Sequence, residues 1–178
     1  MIIFIPGAII ALLTFPGVIL HEMAHKFFCD LYHIPVYEVK YFAISKNAGH
    51  VIHEISENSR ERAIISLAPL LINSIVCFLL LFPTILPLVM GTSFVSSFTF
   101  LDIFLIWVGF SCGINAIPSK TDLAHIDNNV SWLFITFKKF AQICNYIGFA
   151  GNALWMLILF ILSLLFFILI SPLIVFFI

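Results

Sequence analysis

Apolar and polar residues follow one another along this chain in long blocks. An apolar run covers about Ile2 to Phe28 and a polar stretch covers 29–62. Further apolar runs cover about Ala63 to Leu81, about Phe98 to Ile114, and everything from about Ile147. A helix of about 20 apolar residues matches the ~30 Å hydrocarbon core of a bilayer. The pattern predicts an all-α integral membrane protein with about four transmembrane helices. Prolines punctuate the runs. Pro16, lacking an N–H, predicts a kink one turn before His21, with neighbouring helices taking up the freed groups. Pro83 and Pro87 are expected to end the second run, an uncharged loop is expected over 88–97, and Ser171-Pro172 is expected to interrupt the last run.

The polar stretch has another period. Val36 to Ile44 is β-branched and aromatic with partial alternation, and His50 to Ile55 reads as a second short strand. Ser45 to Gly49 between them is a turn signal. A small β-hairpin between the first and second membrane helices follows, and Ser56 to Arg62 starts the next helix. After the third run, Gly113 to Asp122 contains Pro118 and cannot be regular helix throughout. A surface segment is expected from about Thr121 to Phe140, with Thr121 as its N-cap.

Composition agrees with the block pattern. With 62% hydrophobic and 10% charged residues the chain is not a soluble one. Its net charge of −1 offers nothing to a polyanion, so no nucleic-acid partner is expected. Cys29, Cys77, Cys112 and Cys144 stand singly, which reads as buried thiols rather than disulfides or a zinc cluster. The first run lacks a basic start and a small-residue cleavage site, so it reads as a retained span. Four spans place all eight Lys and Arg on one side of the bilayer, which the positive-inside rule makes the cytoplasm. The hairpin is then cytoplasmic and both termini lie on the non-cytoplasmic side. Residues 1–178 form a single membrane-embedded domain, with a core over about 15–125 and an additional span over about 147–170.

The chemistry concentrates at His21-Glu22-Met23-Ala24-His25. On a helix, His21 and His25 share one face, one turn apart, and can hold one zinc ion (Zn2+). Glu22 can reach a water on that zinc and act as general base. A catalytic zinc site usually takes three protein ligands and leaves one position open. Asp122, after the irregular end of the third run and on the same side, is the best third ligand, and His125 competes with it. The other reading of Asp122 is a helix N-terminal acid or partial cap. His50 and His53 read as solvated strand residues, although a second metal site there is open. The whole His-Glu-His cluster can also be read as a helix-packing network. Against that reading, ionisable residues inside a membrane are costly and usually functional.

HEMAH in a first apolar helix, Ala68-Pro69 with Asn73 in the second, a β-rich loop between them and Asn-Ala-Ile-Pro-Ser-Lys-Thr-Asp after the third resemble the site-2 protease family. These are intramembrane zinc metallopeptidases with a shared core of three transmembrane helices. The resemblance implies zinc ligation by His21, His25 and Asp122, catalysis by Glu22, and substrate binding by Asn73. The chain departs from the family pattern at Ala68, where a Gly is usual, at Leu123, where a Gly follows the Asp, and by one residue in the spacing of Asn73 and Asp122. The implied partners are a membrane-anchored protein or peptide substrate and the lipid bilayer. The other function class open to the sequence is a non-proteolytic membrane protein that binds or conducts a divalent metal.

Overall fold

The computed structural model describes residues 7–43, 48–89 and 99–177. The chain is mostly helical with one small two-stranded antiparallel sheet. The order is α1 (Gly7–Leu13), α2 (Phe15–Leu31), β1 (Val36–Lys40), β2 (His50–His53), α3 (Ser59–Val89), α4 (Phe100–Ile114), α5 (Lys120–Ala124), α6 (Trp132–Ile147) and α7 (Phe149–Phe177). Helices α3 and α7 contain stretches long and apolar enough to cross a membrane, Ser59–Leu81 and Phe149–Phe166. Helix α4 is apolar but shorter.

The expected break at Pro16 is present, as the division between α1 and α2 at Thr14. Helix α4 takes up the groups it frees. Trp107 Nε1 donates to the Leu13 carbonyl at 2.9 Å, and Ser111 Oγ donates to the Thr14 carbonyl at 2.7 Å. Gly17 N donates in turn to Ser111 Oγ at 2.7 Å. The two backbones touch here: a Cβ on Gly17 would stand 2.1 Å from the Ser111 carbonyl oxygen. Small residues at a crossing let membrane helices approach this closely.

Two expectations about proline fail. Helix α3 runs through Pro83 and Pro87 to Val89, and α7 runs through Pro172 to Phe177. In water a proline without replacement partners ends a helix. In an apolar helix the cost of exposing further backbone groups outweighs the one lost hydrogen bond, so the helix continues. The first two residues of the expected 88–97 loop are therefore helical; 90–97 lies outside the described residues, as do the start of the first run and residues 45–47 of the hairpin turn.

The hairpin pairs Val36 with His53, Glu38 with Ile52, Val39 with Val51 and Lys40 with His50, with an irregularity between Val36 and Glu38. Both strands are shorter than the sequence suggests. Helix α3 forms the centre and packs on α2, α4 and α7. One core cluster joins Ala63, Leu67 and Leu70 of α3 to Ile117, Leu123, Ile126 and α6. A second joins Cys77 and Leu81 to Cys112, Met156 and Leu159, tying α3, α4 and α7. All four cysteines are buried free thiols.

Candidate metal centre

Helix α2 sets the site. His21 and His25, one turn apart, present edge-to-face rings with centroids 5.1 Å apart. Each ring is fixed through Nδ1. His21 Nδ1 donates to the Asn115 carbonyl at 2.8 Å, and His25 Nδ1 donates to the Ile65 carbonyl at 3.0 Å. A carbonyl only accepts, so Nδ1 carries the proton and each neutral ring presents Nε2 as a bare lone pair.

Both carbonyls are free for reasons visible in the sequence. Ile65 stands four residues before Pro69, whose missing N–H leaves that carbonyl without its helical partner. Asn115 caps α4, which stops short of Pro118, so no following turn claims its oxygen. Proline thus supplies an acceptor for His25 directly and helps to supply one for His21.

Asp122 arrives from α5. The N-cap is Ser119, not the expected Thr121: Asp122 N donates to Ser119 Oγ at 3.2 Å, and Ser119 N donates to Asp122 Oδ2 at 2.7 Å. The Ser-Lys-Thr-Asp spacing is that of a capping box, a signal the sequence reading passed over. The capping oxygen is also the one nearest the imidazoles. Oδ2 lies 3.8 Å from His21 Nε2 and 3.6 Å from His25 Nε2.

These three ligand atoms lie within 4.8 Å of one another. Two ligands on a tetrahedral ion with bonds near 2.1 Å stand about 3.4 Å apart, so the spacing suits a zinc-sized ion with little adjustment. His25 Nε2 is buried and has no hydrogen-bond partner among the described residues. A buried lone pair left unpaired is costly, and a cation between it and the carboxylate removes the cost. His21, His25 and Asp122 can hold a metal ion.

Glu22 is buried. With His21 it lines a cavity of about 190 Å³ that His25 and Asp122 do not reach. Other walls are Ala48 and Gly49 of the hairpin, Asn115 and Ser119 beyond α4, and Asn152 of α7. The hairpin lies directly on Glu22: a Cβ on Gly49 would stand 2.7 Å from Glu22 Cγ. Only glycine permits that approach.

The remaining sequence candidates sit elsewhere. His125 is exposed at the C-cap of α5, outside the ligand triangle. Asn73 is fully buried, and its Nδ2 donates to the Gly17 and Asn115 carbonyls, each at 3.0 Å. It binds α3 to α2 and to the end of α4, and only its Oδ1 is uncommitted. His50 Nε2 lies 3.3 Å from Glu38 Oε1, and His53 Nδ1 donates to the Glu54 carbonyl at 2.7 Å. Among the described residues neither joins a metal-ligand group. A larger groove of about 490 Å³ on the other flank of α3, bordered by Leu71, Phe134 and Trp155, has no titratable side chain in its wall.

No protein-family model matches this chain, no curated protein matches it in sequence, and no solved structure matches it in fold.

Proposed function

We propose that this chain is an intramembrane zinc metalloprotease that hydrolyses peptide bonds of membrane-anchored substrates, similar in its core to the site-2 protease family. The observation that carries the reading is the convergence of His21, His25 and Asp122 on one point, with Glu22 beside them in a cavity. In this reading the membrane is crossed four times, by α2 with α1, by α3, by α4 and by α7. The hairpin, α5, α6 and all eight basic residues then face the cytoplasm, and both termini face away from it. Ile65, which anchors His25, stands six residues into α3, about 9 Å from its first residue. The site is therefore shallow enough to admit water from the cytoplasmic end.

His21, His25 and Asp122 would hold the zinc, which when bound would supply Lewis acidity toward water and the scissile carbonyl. The protein's own part is positional and acid–base. Nδ1–H bonds to Asn115 and Ile65 hold the two imidazoles in the ligating tautomer. Ser119 holds the Asp122 carboxylate through its backbone N–H. Glu22 accepts the proton of the attacking water and returns it to the leaving amine nitrogen. A helical substrate must unwind to expose its carbonyl, and the hairpin edge beside Gly49 offers main-chain partners to the extended segment. The N–H groups of Asn73 are engaged with backbone carbonyls, so direct substrate contact falls to the walls of the cavity.

The second reading, a protein that only binds or conducts a divalent metal, needs no base outside the ligand set. Glu22 stands outside the ligand triangle and in the cavity, which favours hydrolysis. Zinc analysis of the purified protein, paired with Glu22→Gln assayed on tail-anchored and signal-peptide substrates, decides between them. The protease reading expects about one zinc per chain in both proteins and cleavage in the parent alone. Zinc in both with cleavage in neither selects the metal-binding reading, and absence of zinc sinks both.

A further inference from the structure

The expected core of three helices ends before α6, yet the fourth wall of the cavity comes from α7. On that helix Asn152, Trp155, Met156, Leu159 and Ser163 follow the three-and-four spacing of a single face. Every other member of this face is committed. Met156 packs on Gly113, where a Cβ would stand 2.2 Å from its Sδ, and Cys77 Sγ lies 3.7 Å from the same atom. Trp155 Nε1 donates to Ser74 Oγ at 3.0 Å, and Ser163 Oγ donates to the Leu159 carbonyl at 2.9 Å. Asn152 stands one turn from Met156 at the end nearest Asn115 and lines the cavity with Glu22 and His21.

The register of α7 against the site is held from both sides of Asn152. Gly151 touches Cys144 so closely that a Cβ would stand 2.2 Å from its carbonyl oxygen. Asn145 Nδ2 donates to the Pro118 carbonyl at 2.8 Å, which ties α6 to the segment carrying Ser119 and Asp122. Two other polar walls of the cavity are engaged. Asn115 Nδ2 bonds the Thr14 and Ser111 carbonyls, and Ser119 Oγ bonds Asp122 N and Thr121 Oγ1. The Asn152 side-chain amide makes no hydrogen bond among the described residues. Asn152 is half-buried, and its uncommitted amide at the cavity wall is free to exchange water for a bound polar group.

We propose that Asn152 is a substrate-binding residue: its side-chain amide pairs with the main chain of an extended peptide segment lying in the cavity beside Glu22. A carboxamide offers a donor and an acceptor together, which is what one peptide unit requires. The fourth helix is then part of the active site and not only an anchor. This inference rests on the protease reading above.

The test uses two hydroxamates on the full-length protein in detergent, with Co2+ in place of zinc as a visible reporter. Acetohydroxamate reaches only the metal. A dipeptidyl hydroxamate carries the same chelating group with a peptide main chain. Asn152→Ala should weaken the dipeptidyl compound about tenfold, leaving acetohydroxamate affinity and metal content unchanged. Asn152→Asp, which keeps the shape and the acceptor but loses the donors, should fall between parent and Ala. Equal affinities of the dipeptidyl compound for parent and both variants overturn the inference and leave the protease reading intact. A parent that holds no metal, or binds neither hydroxamate, overturns both. A variant that loses metal or acetohydroxamate binding as well makes Asn152 structural, which also overturns the inference.

Discussion

Helices α2 and α7 both pack on α3 and α4, and they are opposites. Helix α7 is almost wholly apolar, runs through a proline without interruption, and is long enough to cross a bilayer. Helix α2 is 17 residues long, starts at a break, and carries His21, Glu22, His25, Lys26 and Asp30. Its backbone and side chains are held by polar groups of its neighbours: Ser111, Asn115, Asn73 and Ile65 each donate to it or accept from it. Helix α7 is held largely by packing. The contrast lies in how a polar helix and an apolar one are held by the same neighbours. The polar groups of α2, the helix that carries two of the three candidate metal ligands, are satisfied one by one from adjacent helices.

The largest effect that would break this contrast is loss of the metal. Replacing both His21 and His25 by Ala should remove all tightly bound zinc, measured by atomic absorption on the purified protein. Full zinc in the double variant would move the site away from α2. The next effect is chemical. Glu22→Gln should keep zinc and lower turnover by about 10²–10⁴-fold or more. An undiminished rate on a cleaved substrate would make Glu22 a packing residue.

A third effect is specific to the proline logic. Pro69→Ala restores an N–H that competes with His25 for the Ile65 carbonyl. Helix α3 should gain propensity, since proline costs about 3 kcal/mol in a helix interior. Zinc affinity should nevertheless fall about 10–100-fold, the usual effect of losing the partner that orients a ligand. Thermal stability without metal and zinc affinity then move in opposite directions. If both rise, the Ile65 carbonyl plays no part in orienting His25.

Much of this was legible in the chain itself. The i, i+4 histidines, the helix break at Pro16 and the hairpin over Val36 to His53 follow from local period and local chemistry, and local rules reached them. Prolines 83, 87 and 172 were misread because a stop rule drawn from helices in water was applied to apolar helices. The Ser119 cap was within reach, since its Ser-x-x-Asp spacing lies in four consecutive residues. The pairing of Pro69 with His25 was not. It depends on which turn of α3 faces which turn of α2, across 40 residues, and no local period encodes that. Asn152 carried no local signal either. It is one polar residue near the start of an apolar run, and only tertiary packing, such as Met156 on Gly113 and Gly151 on Cys144, sets it at the cavity wall.

The smallest effects test the contrast most directly, as a matched pair on the two helices. Gly17→Ala puts a methyl group where the Ser111 carbonyl oxygen already lies, 2.1 Å from the new Cβ. Backbone cannot step aside as a side chain can, so α2 and α4 must separate. Overpacking of this kind costs about 1–3 kcal/mol. The separation also stretches the Gly17–Ser111 and Asn115–Thr14 bonds together, because both cross the same seam. His21 depends on that seam through Asn115, so zinc affinity should fall alongside stability. Leu157→Ala on α7 removes a larger group from an exposed position that this reading turns toward lipid. It leaves no cavity and breaks no hydrogen bond, so stability in detergent should change by no more than about 0.5 kcal/mol and zinc not at all. Denaturation of the two variants in one detergent, each scored for retained zinc, checks the pair. Equal losses would mean that α2 is held by packing as α7 is, and that its polar ties are incidental.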